Sequence, residues 1–161
     1  MTKIISAFPG TGKSYSTKHS IYKCHDSDSS VFHWGEGLGG TTLKRDWPNN
    51  YINHIKELRN SKQFDIIFIS SHDYIRKLLV EHKIEYTLIL PTKGLKEKYL
   101  KRYKERGSSE DFIKQMSDNW QTYNNYDIES VNPMGGRIIF VDYITDDILS
   151  KILTENIFNN K

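Results

Sequence analysis

SAFPGTGKSYS, residues 6–16, decides how the rest of the chain is read. It nearly matches the pattern G-x-x-x-x-G-K-[ST], whose glycines let backbone N–H groups turn inward around phosphates. In that pattern the lysine reaches the β- and γ-phosphates and the final hydroxyl serves Mg²⁺. The departure is Ala7, which stands where the pattern has its first glycine. Ala7 falls at the end of a strand, where the smallest Cβ is tolerated if the backbone is not in a glycine-only conformation. The working part, Gly10, Thr11, Gly12, Lys13 and Ser14, is whole, and Tyr15 follows it. KIISA, residues 3–7, reads as a strand, and a helix is expected to begin within GKSYS and run to about residue 22. A strand, a glycine loop and then a helix is the context in which the motif carries a mechanism; outside it, the match is a glycine turn beside a lysine. Residues 10–15 are therefore the expected ATP-binding segment, with Lys13 catalytic.

Outward from this loop the chain alternates short apolar runs with amphipathic ones, the pattern of βαβ units and a parallel sheet. A second short strand is expected over residues 22–25, FDIIFIS over 64–70 is a buried third, EYTLILP over 85–91 a fourth and RIIFVDY over 137–143 a fifth. Helices are expected over residues 50–59, 72–82, 95–105, 109–124 and 145–158, with a Ser-x-x-Asp start at Ser108 for the fourth of these. The fold class is thus α/β, a doubly wound sheet flanked by helices, and ligands of such sheets bind outside the carboxyl ends of the strands. That rule directs attention to the loops beginning at Phe8, Asp26, Ser70 and Pro91.

At the second of these loops stands Asp26-Ser27-Asp28. Carboxylates facing phosphates serve two jobs in phosphoryl transfer, holding the Mg²⁺ and orienting or deprotonating the acceptor. Asp26 and Asp28, two apart, can divide those jobs beside the Ser14 hydroxyl that serves Mg²⁺; alone, the same residues would read as a solvated turn. The third strand ends in Ser70, Ser71 and His72, where a metal carboxylate is usual, which strengthens the case for Asp26. Asp65 starts that strand, at the wrong edge of the sheet, and reads as structural.

In GLKEKYLKRYKERG, residues 94–107, Lys98, Arg102 and Arg106 recur on one helical face beside a stripe of Leu95, Tyr99 and Tyr103. Arginine offers forked donors to phosphate oxygens, so Arg102 and Arg106 are candidates for stabilising the transferring group, the alternative being a solvated charged face. Residues 29–49 form a long glycine-rich segment in which Phe32, Trp34 and Trp47 offer flat surfaces to a nucleobase and Lys44 and Arg45 offer charge to a monophosphate. Anchoring of the loop is the competing use of those aromatics. His33 and His54 have no partner at metal-ligand spacing.

The 161 residues suit one domain and no apolar run approaches the roughly 18–20 residues of a membrane span. A net charge of +3 suits anionic small molecules without indicating nucleic acid, which stays open as a partner. The lone Cys24 forms no internal disulfide, and residues 1–10 lack the apolar core of a signal peptide, so a cytoplasmic location is expected.

AFPGTGKS, then DSDSS, F-x-W at residues 32–34 and the later LKRYKERG resemble the small P-loop nucleotide kinases of bacteriophages, over most of the chain, from residue 3 to about 142. The DSD element is also similar to the D-[ST]-D of shikimate kinases, which implies Mg²⁺ at Asp26 and the acceptor at Asp28. The resemblance implies a P-loop NTPase fold with strand order 2-3-1-4-5, a substrate-binding insertion at about residues 29–50 and a mobile arginine-bearing lid at about 93–110. It implies ATP and Mg²⁺ as cofactors, a (deoxy)nucleoside monophosphate as acceptor and, for a phage-encoded chain, the host cytoplasm. A hydroxyl acceptor, on a small metabolite or a modified base in DNA, and a regulatory ATPase are the other readings. The substrate segment departs from the resemblance in lacking a clear arginine pattern for a monophosphate.

Overall fold

The computed structural model describes residues 1–33, 45–126 and 136–147. Five strands form one parallel sheet in the order β2-β3-β1-β4-β5: β1 is Lys3–Ala7, β2 Cys24–Asp26, β3 Ile66–Ile69, β4 Thr87–Pro91 and β5 Arg137–Val141. The order is the one the resemblance implied. β3 is IIFI, buried at every position, as expected of a parallel strand covered on both faces.

The two-residue period of the strands divides the core. Ile4, Ile67, Ile69, Leu88 and Leu90 face a large cluster that includes Phe8, Tyr51, Ile55, Ile75, Tyr99, Tyr103 and Trp120. Ile5, Ala7, Ile66, Phe68, Ile89 and Val141 face a smaller one on the opposite side. Ala7 is fully buried there, so its position at the strand end leaves space for a methyl group and no more is asked of it.

The helices among the described residues are α1 (Lys13–His19), α2 (Ser30–His33), α3 (Asn49–Ser61), α4 (Asp73–Glu81), α5 (Lys96–Glu105), α6 (Glu110–Asp118) and α7 (Trp120–Tyr123), with a 3₁₀ turn at Lys93–Leu95. α1 ends at His19, earlier than the sequence pattern suggests. β2 runs to Asp26, so this carboxylate ends the strand instead of following it. The helix expected over residues 109–124 is two helices. Asn119 stands between them with φ of −106° and ψ of 14°, and its side-chain amide donates to the Gln115 carbonyl at 2.9 Å beside its own backbone N–H at 3.1 Å. The Trp120 indole then donates to the Lys93 carbonyl at 2.9 Å and fixes the new direction. The cap is Ser109, whose hydroxyl accepts from Phe112 N–H at 3.2 Å; Ser108 is occupied by Arg106 Nε instead. Residues 145–147 are not helical, and the remainder of the helix expected over 145–158 lies outside the described residues. No helix among the described residues is long and apolar enough to cross a membrane.

Two polar ties set the carboxyl edge of the sheet. The Tyr51 hydroxyl donates to the Ser27 carbonyl at 2.8 Å and accepts from Ser70 N–H at 3.3 Å, joining the ends of β2 and β3 through a fully buried side chain. At the opposite edge, Asp65 accepts from Lys23 N–H at 2.9 Å, a structural role.

Candidate functional site

Beyond the carboxyl ends of β1, β2 and β3 lies an open cleft of about 1110 Å³. Its head is the glycine loop, residues 8–14. Phe8 N–H donates to the Ile89 carbonyl, and the Thr11 hydroxyl and N–H both return to the Phe8 carbonyl, at 2.7 and 3.3 Å. The turn this closes requires left-handed backbone at Gly10 and Gly12, with φ of +86° and +98°. Gly12 is also the N-cap of α1 and supplies no side-chain acceptor to the helix's first amides.

Lys13 folds back beneath the loop, its ammonium donating to the carbonyls of Ala7 at 2.9 Å and Phe8 at 3.4 Å. Burial of this ammonium lowers its pKa to about 8; Asp26 and Asp28 oppose the shift and the Arg106 charge adds to it. The residue as a whole is half-buried and lines the cleft, with its ammonium held against the two carbonyls. A cation held in this way gains from any anion that reaches it. Ser14 Oγ donates to Asp26 Oδ2 at 2.8 Å, so the strand-end carboxylate and the first turn of α1 meet at one point. Asp28 lines the same cleft and its Oδ1 accepts from Ser30 N–H at 2.9 Å, which fixes the turn into α2.

From the other side come both arginines, Arg102 from α5 and Arg106 from the residue that caps its carboxyl end. Arg102 Nη2 pairs with Asp146 Oδ1 at 2.6 Å, and Arg106 lies over the Tyr103 ring at 5.0 Å from its centroid. The helix expected as a mobile lid has Tyr99 and Tyr103 buried against the glycine loop.

Lys13, Ser14, Asp26, Asp28, Arg102 and Arg106 thus border one cleft, as do Gly10, Gly12 and a half-exposed Tyr15, while Thr11 is buried behind it. The substrate-side residues fall elsewhere. Phe32 packs on Tyr51 and His54, with ring centroids 5.3 and 4.5 Å apart, and does not line the cleft. Trp47 lies against Tyr51 and Tyr74. Arg45 is exposed and does not line the cleft; Trp34 and Lys44 lie outside the described residues.

Three cleft residues were not singled out by sequence. Arg76, on α4, is only 6% exposed and Nη2 donates to the Asn125 carbonyl at 3.0 Å. Its signal was present: it stands three residues before buried Leu79, on the inward side of an amphipathic helix that follows β3. His72 and Tyr74 stack with an interplanar angle of 11° and centroids 5.2 Å apart, giving the cleft a flat aromatic wall. Nothing local distinguishes these two from ordinary loop and helix residues.

Compared with protein-family models and with curated proteins, the chain matches none.

Proposed function

We propose that the chain is a P-loop phosphotransferase that moves the γ-phosphoryl group of ATP to a nucleoside monophosphate, in the first instance a deoxynucleotide. The observation that carries this reading is the meeting of the buried Lys13 ammonium, the Ser14–Asp26 pair and Arg106 around one left-handed glycine loop. Backbone amides, a lysine and an arginine gathered there suit a polyphosphate.

Ser14 Oγ and Asp26 Oδ2 are hard oxygen donors of the kind Mg²⁺ takes, one or two from protein and the rest from water and phosphate. Among the described residues no group of three or more His, Cys, Asp or Glu side chains gathers to hold a metal by itself, so the ion would arrive with the nucleotide. Bound there, Mg²⁺ would neutralise charge on the β- and γ-phosphates. Lys13 would leave the Ala7 carbonyl for those oxygens, and Arg106 would face them from α5. The acceptor oxygen forms a bond to the γ-phosphorus as the bond to the β–γ bridging oxygen breaks, and ADP departs with that electron pair.

For the acceptor, Arg76 offers a buried guanidinium to an anion and the His72–Tyr74 stack a surface for a planar base. A monophosphate oxygen is already ionised at neutral pH and needs no base. Asp28→Asn is therefore expected to lower turnover by less than about tenfold, against about 10²–10⁴-fold for a hydroxyl acceptor that relies on a general base. Steady-state rates of the variant with its best acceptor separate the two. The reading itself is tested by incubation with Mg-ATP and a panel of ribo- and deoxynucleoside monophosphates, with diphosphates as the expected products. Labelling of a metabolite or DNA hydroxyl instead would move the proposal to the alternative acceptor.

Nucleotide binding should also be proton-linked. Lys13 in the empty protein has a pKa of about 8, below its ordinary 10.5, and a bound phosphate would raise it. Between those two values the complex holds a proton that the empty protein lacks, so affinity falls as pH rises through this window, by up to about tenfold per unit. Calorimetry in buffers of different ionisation enthalpy is expected to show uptake approaching one proton at about pH 9 and little at about pH 7, with the uptake lost in Lys13→Met.

A further inference from the structure

Tyr103 is fully buried, and three separate contacts converge on it. Its hydroxyl donates to the Pro9 carbonyl at 2.7 Å, inside the glycine loop and 94 residues away in the chain. Its ring edge lies so close to Gly10 that a Cβ built there would stand 2.8 Å from Cε1. The guanidinium of Arg106, three residues on and therefore on the same side of α5, sits 5.0 Å from the ring centroid. The ring has no freedom to drift, because Tyr99 and Phe112 meet it edge-on with centroids 6.1 and 5.2 Å away. Burial pushes the phenol pKa upward, so the hydroxyl remains a donor.

We infer that Tyr103 is a positioning residue that sets Arg106 at a fixed distance from the glycine loop, so that the arginine meets the terminal phosphate of a nucleotide bound there. The inference rests on the phosphate-donor reading above. An arginine on a long flexible stem loses rotamer freedom when it is ordered, and a ring already locked to the loop removes part of that cost before the ligand arrives. Arg102 has a different arrangement. Its guanidinium is tied to Asp146, and the Asp146 carbonyl lies against Gly12, so the two arginines approach the loop from separate supports.

A core tyrosine with a merely structural role would change stability without changing the preference for a triphosphate over a diphosphate. That preference is the readout. Binding of Mg-ATP and Mg-ADP is measured by calorimetry, beside thermal melting, for wild type, Tyr103→Phe, Tyr103→Leu, Arg106→Met, the Tyr103→Leu/Arg106→Met double variant and Leu95→Ala. Leu95 is a buried residue at the start of the same helix and serves as the destabilised control. Arg106→Met is expected to reduce the ATP preference about tenfold, the size of a charge-assisted contact to phosphate. Tyr103→Leu is expected to do the same, and the double variant to lose no more than about tenfold, where independent residues would give about a hundredfold. Tyr103→Phe keeps the ring and loses only the Pro9 bond, so about a threefold loss is expected with melting close to wild type. Leu95→Ala is expected to melt lower and keep the full ATP preference.

Losses that multiply in the double variant, an unchanged preference in both Tyr103 variants, or a loss of preference in Leu95→Ala would each overturn the inference while leaving the donor reading in place. Failure of the wild-type protein to bind either nucleotide would overturn both.

Discussion

Lys13→Met is expected to lower turnover by about 10²- to 10³-fold, the usual effect of removing one preorganised group from the charge developing on a transferring centre. The size follows from where the ammonium sits. It is withdrawn from water beneath the glycine loop, its pKa is depressed to about 8 and the nearest carboxylates, Asp26 and Asp28, compensate only in part. In the proposed complex that cation exchanges the Ala7 and Phe8 carbonyls for ionised phosphate oxygens, a stronger partner. Methionine fills the same channel with a side chain of similar length and no charge to desolvate. The melting midpoint is accordingly expected to stay within a few degrees of wild type, since relief of the buried charge offsets loss of the hydrogen bond to Ala7. Single-turnover rates together with a melting curve test both halves. A large loss of stability would show that the lysine is chiefly a structural strut.

Gly12→Ala is expected to weaken nucleotide binding by about a hundredfold. The backbone there has φ of +98°, where a side chain is strained, and a Cβ would stand 2.4 Å from the Asp146 carbonyl oxygen and 3.0 Å from its carbon. Those are backbone atoms and cannot rotate away, so either the glycine loop or residues 145–147 must shift. The first shift misaligns the amides, and the second draws Asp146 from Arg102. Strain of about 3 kcal/mol corresponds to roughly two orders of magnitude in a dissociation constant. Equilibrium titration with Mg-ATP measures it, and Gly94→Ala is the comparison. A Cβ at Gly94 meets nothing within 4 Å, and its affinity is expected to match wild type.

The parts of this arrangement that were legible in the sequence are those carried by local pattern. IIFI and the LILP of β4 state their burial through unbroken apolar runs, and the alternation of such runs with amphipathic helices yields a parallel sheet, at whose carboxyl edge the cleft lies. The glycine loop is legible for the same reason, since its backbone geometry demands particular residues in a short window. Asp26, the last residue of β2, and Asp28, two residues on, border the cleft with Lys13 because both stand at the carboxyl edge of the sheet.

What escaped the sequence depends on contacts between distant segments. Tyr51 reads as one aromatic in a helix, yet its hydroxyl joins Ser27 and Ser70. Tyr103 reads as part of a core stripe, and only the folded chain brings it to Pro9. Asp146 carries no motif, but its carbonyl closes on Gly12 and its carboxylate on Arg102. Phe32 and Trp47 were expected as flat surfaces for a base; instead their rings pack with Tyr51, and the aromatic pair on the cleft wall is His72 with Tyr74. Aromatic side chains serve cores and ligands with the same chemistry, so composition alone does not separate the two uses.

The measurement closest to the central claim is the rate of ADP formation from Mg-ATP with and without a nucleoside monophosphate. Slow release alone, and a marked acceleration by at least one monophosphate with equimolar appearance of its diphosphate, is the predicted result. Rapid hydrolysis that no acceptor accelerates would contradict it, and would make the chain a nucleotide-hydrolysing switch instead of a phosphotransferase.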